Sequence, residues 1–446
     1  MDSNAKVQAR RGVGPTFFDF TLLFRAVGIA LWQPTRLLLA LGGVIASVLL
    51  GLGLDAVWPA SASPVAVRVA GHWTTESALY AQLADSQSVR SAMGEAVVAG
   101  GETSASGVFR ELLLQSRLIE DQCLSGVFGL DPRGLLAAGR AALMTIAWLV
   151  SMHAMFAILY GLGLSAIWGF VGVGICRGVA LAVARNDEPS LREYRDVCAS
   201  QWMQGAMIPM LPVLLILATT IGLWLFGLIG AIPVAGKLIV SVAFPIVILG
   251  GAIMAIALTL GVAAGPMAPY GVVAGGADAG DAIVGAASFV VERPVKTLFY
   301  YAVSFVVGVV AFAALKWLVA LSLWFGGGAL GMTMDIGAAP ADSAGGAPHV
   351  GTLEALWTSP SLSGASAFYG TFPATELGGA SWVSRQLIRL WLMLTWGVLA
   401  AFAVSYAYAA TGISWFLLRR EVDHTDITEV VDENADKESG SRSVVS

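Results

Sequence analysis

Residues 261–306 read GVAAGPMAPYGVVAGGADAGDAIVGAASFVVERPVKTLFYYAVSFV, and the order of signals within them decides the fold. An apolar run ends at Gly265-Pro266-Met267-Ala268-Pro269. A small-residue segment then carries Asp278 and Asp281, and Glu292-Arg293-Pro294-Val295-Lys296 opens a second apolar run. That order predicts one exit from a membrane, a helix lying in its interface, and one return.

The composition of the whole chain agrees. Apolar residues make up 57% of the chain, charged residues 12%, and the mean hydropathy is +0.76; soluble domains carry about 25% charge. A bilayer core needs about 20 apolar residues per helical span, and several runs reach that length. The expected class is all-α: a polytopic helical membrane protein of about six transmembrane helices with interfacial amphipathic helices. The net charge of −5 is local, because residues 421–446 hold eight acids against Lys437 and Arg442. Such a tail reads as a disordered, solvating end. No basic patch interleaved with aromatics points to nucleic acid.

The first 36 residues hold Lys6, Arg10, Arg11, Arg25 and Arg36 between apolar residues such as Phe17, Phe20, Leu23 and Val27. They form a basic amphipathic segment suited to the headgroup plane, ended by Trp32-Gln33-Pro34. Residues 37–57 are the first span. Ala60-Ser61-Ala62 resembles a signal-peptidase site, yet the long basic lead favours an uncleaved anchor. Residues 58–136 are polar enough to leave the membrane. They carry two helical patterns, Glu76 to Val98 and Ser106 to Gln122, with Val108, Phe109, Leu112 and Leu113 offering an apolar face.

Residues 137–418 form the membrane domain with five further spans. Within it, residues 135–184 could cross once or twice. A single crossing places Arg177, Arg185, Arg192, Arg195, Arg293, Lys296, Arg419 and Arg420 on the cytoplasmic side, and leaves the outer loop at 327–384 without Lys or Arg. A double crossing inverts this arrangement. The excess of cations on cytoplasmic loops favours the single crossing, which puts both termini in the cytoplasm and the chain in the inner membrane. A cytoplasmic amphipathic helix is expected over Leu191 to Met203, spans at about 207–231 and 239–264, and kinks at Pro209, Pro212 and Pro245. Residues 419–446 are the acidic cytoplasmic tail. Ala30 to Arg36 and Val290 to Lys296 open spans in the same way, the sign of a weak internal repeat.

Two passages carry a resemblance. Gly174-Ile175-Cys176-Arg177-Gly178-Val179-Ala180, continuing through Ala184-Arg185-Asn186-Asp187-Glu188-Pro189-Ser190-Leu191-Arg192-Glu193, is similar to a GGAI-R-AA…ARDE…SLREA pattern. Ala277-Asp278-Ala279-Gly280-Asp281-Ala282-Ile283, with Ser288 to Pro294 and Leu298-Phe299-Tyr300-Tyr301, resembles GSDAFDAISRSFSYVYQRPWRYLFY. Both patterns belong to a group of uncharacterised bacterial polytopic membrane proteins. The resemblance covers roughly residues 30–57 and 165–430, and departs at Val295, where the group often has an aromatic residue. More distantly, the plan of interfacial helix plus hairpin looks like the membrane domain attached to some glycerophosphodiester phosphodiesterases. It supplies no catalytic residue.

Charges at membrane depth are the strongest pointers to function. Arg177 lies near the cytoplasmic boundary, where pairing with Asp187 or Glu188 is the plain reading. Lys316 lies inside the fifth span, and apart from Asp55 near the outer end of the first no acidic residue occurs in a predicted span; outward snorkelling is the plain reading, and a functional intramembrane charge the sharper one. Arg185, Arg192, Arg293 and Lys296, with Arg177, are the candidate contacts to lipid or to a partner. Asp278 and Asp281 read as helix caps. His153 reads as packing rather than a proton relay. The cysteines Cys123, Cys176 and Cys198 and the four histidines follow no metal or redox spacing. No catalytic set, phosphate loop or dinucleotide fingerprint stands out. The expectation is a protein without catalytic activity, cofactor or metal. It would serve as an accessory, assembly or membrane-organising component, in contact with membrane lipids and with a protein partner or a second copy. Its rival is a transporter or channel for a small or lipidic solute.

Overall fold

The computed structural model describes residues 19–58, 65–69, 72–98, 102–105, 107–232, 235–334 and 379–425, with 353, 356–358, 360 and 372. The acidic residues beyond 425 and the basic ones before 19 lie outside them, as does most of the loop expected at 327–384.

A 3-10 turn, Asp19–Phe24, leads into α1 (Arg25–Leu31). Trp32 and Gln33 interrupt the helix, and Pro34, whose missing N–H costs nothing in a first turn, opens α2 (Pro34–Val57). Three short strands follow or interleave with two helices: β1 (Val65–Val69), β2 (His72–Thr75), α3 (Glu76–Leu83), α4 (Ser86–Val98) and β3 (Glu102–Ala105). The strands form an antiparallel sheet with β1 in the centre, pairing Ala66 with Thr75 on one side and with Ser104 on the other. The sequence patterns held no sign of this sheet, because runs of four or five residues are too short to show a period of two against the surrounding polar chain.

Next come α5 (Val108–Phe128), α6 (Pro132–Met152) and α7 (Ala154–Ala184). The apolar stretch over 135–184 is thus two helices, broken at His153, whose φ of −128° and ψ of 47° end α6. α8 (Leu191–Ile229) is continuous through Pro209 and Pro212. The separate amphipathic helix expected at Leu191 to Met203 and the span after it are therefore one element. α9 (Ala235–Val242) is short. Pro245 stands in the first turn of α10 (Phe244–Ala264), where it starts the helix rather than kinks it.

α11 (Ala268–Val273) and α12 (Ala279–Glu292) follow the exit read from the sequence, and Arg293 ends α12 with nearly the same backbone angles as His153. α13 (Pro294–Met334) runs on through Gly326, Gly327 and Gly328, and α14 (Gly379–Val422) begins before the expected return. Glycine is tolerated inside apolar helices, so a triplet flanked by Trp324, Phe325 and Leu330 is helix here, not loop.

Seven of these helices, α2, α6, α7, α8, α10, α13 and α14, are long and apolar enough to cross a membrane. The chain is a multi-pass helical membrane protein. Contiguous apolar surface agrees with the class: Val213, Leu217, Trp224 and Leu228 of α8, and Ile248, Ile256 and Val262 of α10, are all more than half exposed, as on a face that meets lipid rather than water.

The chain divides into two compact units. The first comprises residues 1–47, 161–305 and 404–446; the second, 48–160 and 306–403. In the second unit, Tyr80, Val89, Met93, Val108, Phe109, Trp148 and Phe156 form a core, with Leu112, Leu113 and Tyr160 packed around it. Asp55 near the end of α2 caps α5 from outside: its carboxylate accepts from Phe109 N at 2.9 Å and Arg110 N at 3.2 Å. The N-cap residue Gly107 supplies no side chain of its own, and a Cβ there would collide with the Asp55 carboxylate.

Candidate functional site

In the first unit, α7 meets α8 backbone to backbone. A Cβ on Gly169 would stand 2.6 Å from Ala206 N, and one on Gly205 would stand 2.7 Å from the Gly169 carbonyl. Small residues permit such closeness in membranes. Ser165, also on α7, donates its hydroxyl to the Ala206 carbonyl at 2.9 Å. Pro209 and Pro212 have no N–H, so the carbonyls four residues earlier, those of Gly205 and Ile208, lose their helical donors.

Beside this contact opens a cavity of about 670 Å³ walled by α7, α8, α10, the Gly265–Pro269 turn and α14. Gly172, Pro209, Pro212, Gly261, Tyr408 and Thr411 are among its lining residues, and most of the wall is hydrocarbon. Polar side chains are few: Ser165 donates across to α8, and Thr411 Oγ1 donates to the carbonyls of Ala407 and Tyr408 in its own helix. Tyr270, wholly buried on α11, donates to the Tyr408 carbonyl at 2.5 Å and ties α11 to α14. Burial pushes the Tyr270 hydroxyl well above its ordinary value, so it stays a neutral donor. An apolar chamber of this volume fits hydrocarbon chains and offers little to a hydrated ion.

The charged residues singled out in the sequence separate into different settings. Arg177 is 6% exposed. Its Nη1 donates to the Val273 carbonyl at 3.1 Å, and Nη2 meets Glu193 Oε1 at 3.3 Å. Glu193, in the first turn of α8, was not among the partners expected from sequence. Lys296 is tied to Glu421 at 2.5 Å, and Tyr300 donates to the other oxygen of that carboxylate. Arg185, Arg192 and Arg293 are exposed. Asp278 caps α12, accepting from Asp281 N at 2.8 Å, and Ser190 caps α8 in the same way.

In the second unit, Lys316 is 6% exposed and pairs with Glu120 at 2.5 Å and Asp121 at 3.8 Å, both on α5. The acids that neutralise it come from the 58–136 insertion. His153 packs edge-on against Trp148 and faces Glu76 Oε1 at 3.4 Å.

Sequence reasoning missed the cavity and the burial of Arg36. The available signals were the run of glycines along α7 opposite Pro209 and Pro212, and the position of Arg36 two residues after the proline that opens α2. Among the described residues no group of three or more His, Cys, Asp or Glu could hold a metal ion, and all three cysteines are free. No protein-family model, curated protein or solved structure matches the chain.

Proposed function

We propose that this chain is a non-catalytic protein of the inner membrane whose first unit holds an apolar, lipid-like ligand, and that it serves as an accessory or membrane-organising component. The observation that carries this reading is the 670 Å³ cavity with its hydrocarbon wall. The pairing of Lys316 with Glu120 and Asp121 favours it over ion-coupled transport, since a charge already neutralised in place is a poor coupling group. The rival, a carrier for a lipidic solute, would use the same cavity.

Six crossings with both ends cytoplasmic fit this reading. Lys296 and Lys316 lie 20 residues apart on α13, about 30 Å of helix, which is the thickness of a hydrocarbon core. Arg36 and Asp55 on α2, and His153 just before α7 with Arg177 inside it, bracket comparable apolar lengths. The remaining candidate, α6, packs along α5, whose Arg110, Glu111, Arg117, Glu120 and Asp121 keep that helix out of hydrocarbon. We assign α6 to the interface on the outer side.

Lipid extraction and mass spectrometry of the purified chain test the reading. The wild type should retain one class of lipid in stoichiometric amount, and Ala407→Trp, which fills the cavity from an exposed lining position, should lose it with folding intact. Equal lipid content in the two proteins would remove the cavity from the argument. Movement of lipid between leaflets of reconstituted vesicles by the wild type, abolished in Ala407→Trp, would decide for the carrier.

A further inference from the structure

Arg36 is fully buried, and none of Nε, Nη1 or Nη2 has a hydrogen-bond partner among the described residues. Its ionic neighbour, Glu188 Oε1, stands 3.6 Å from Nη2, beyond hydrogen-bond length. A guanidinium presents five N–H donors, and burying them unmatched is costly. The seat is nonetheless built: a Cβ at Gly178 would lie 2.9 Å from Arg36 Cδ, so the side chain passes over a glycine that leaves room for it.

Arg36 is among the residues that line a pocket of about 310 Å³, together with Arg25, Gln33, Asn186 and Asp187, and with Trp32, 78% exposed. Asn186 sits at a φ of 55° just beyond α7, a left-handed position that asparagine tolerates, and from there accepts from Arg25 Nη2 at 3.3 Å. Arg36 also belongs to the first turn of the 24-residue α2, which Gln33 immediately precedes, and the leading N–H groups of that helix have no partner within it and favour an anion.

A second, apolar pocket of about 160 Å³ shares Arg25 and Ile29 with the first and continues along Leu22, Val183, Ile413 and Phe416. A charged pocket running into an apolar one is the shape of a lipid, head and chain. The charge pattern narrows the head. Arg25 and Arg36 suit a phosphate, while Asp187 on the wall and Glu188 beside Arg36 would repel a purely anionic head and attract a cation.

From this juxtaposition we propose that the groove between α1, the start of α2 and the α7–α8 connection binds a phospholipid with a phosphoethanolamine head: phosphate on Arg25 and Arg36, ammonium on Asp187 and Glu188, acyl chain along Ile29, Val183 and Phe416. This site shares no lining residue with the large cavity and stands whether or not that cavity is occupied.

The test is native mass spectrometry of the full, delipidated chain. It is titrated with phosphatidylethanolamine, phosphatidylglycerol and phosphatidylcholine of identical acyl chains, and separately with inorganic phosphate. Phosphatidylethanolamine should bind roughly tenfold tighter than either other lipid, the factor expected from one charge-assisted contact. Arg25→Gln, at an exposed position, should lower affinity for all three lipids, and Asp187→Asn should erase the preference while keeping binding. Val183→Trp should cut lipid binding and leave any phosphate binding unchanged. These three positions are chosen because each can change without disturbing the buried Arg36. Equal binding of the three lipids, preference for phosphatidylglycerol, binding of phosphate with no lipid preference, or an unchanged pattern in both Arg25→Gln and Asp187→Asn would overturn the proposal.

Discussion

The two units are built on opposite packing rules. The first is held by backbone approach, with Gly169 and Gly205 against the facing helix. The second is held by large side chains, Phe109, Trp148, Phe156 and Tyr80, around an insertion with an ordinary hydrophobic core. A contact of the first kind has no side chain to truncate, and breaks when one is added. A contact of the second kind breaks when a side chain is taken away. Backbone approach suits a helix pair in lipid, which gives no reward for burying a leucine, and large side chains suit a core that water surrounds.

Five substitutions sharpen or break this contrast. Phe109→Ala should cost about 3–5 kcal/mol in the second unit, read as loss of its thermal transition, whereas Gly169→Ala, adding one methyl against Ala206 N, should abolish the monodisperse purified protein by forcing α7 and α8 apart. If Gly169→Ala is silent, the close approach is not what holds the first unit. Glu120→Ala leaves Lys316 buried without its nearest acid and should cost about 2 kcal/mol. The double variant with Lys316→Met should recover most of the loss and show unchanged lipid retention; if lipid retention fails in the double variant, the lysine has a role beyond pairing. Asp55→Ala removes the only side-chain cap of α5 among the described residues and should cost about 1 kcal/mol.

The smallest effect concerns Cys123, half-buried on α5, whose thiol is pushed up by burial and by the neighbouring Glu120. Less thiolate at a given pH means slower alkylation. A membrane-impermeant maleimide should therefore label it slowly near neutrality and faster as pH rises, and Glu120→Gln should speed labelling. Protection in sealed right-side-out vesicles would reverse the proposed orientation.

What was legible in the sequence followed from rules with a local cause. Prolines at 34 and 294 open helices, Asp278 and Ser190 cap them, and apolar length announces membrane. What was not legible depended on distant partners. Nothing near Lys316 in sequence points to Glu120, nearly two hundred residues away. Arg36 reads as an exposed cation until Gly178 and Glu188 are seen to enclose it. Pro209 and Pro212 suggest a break, yet in a helix surrounded by neighbours the lost ladder bonds do not end it, and α8 persists through both.

The length of α13 carries a consequence for handling the protein. Its 41 residues make a rod of roughly 60 Å, and beyond Lys316 it still exposes Trp317, Leu318, Trp324, Phe325, Leu330 and Met332. With the crossing proposed above, from Lys296 to Lys316, a detergent torus matched to a bilayer of about 30 Å leaves that far half bare. Short-chain micelles should therefore drive self-association that long-chain detergents suppress, and the greasy end of one helix, rather than the membrane-spanning stretch, would then set the aggregation number.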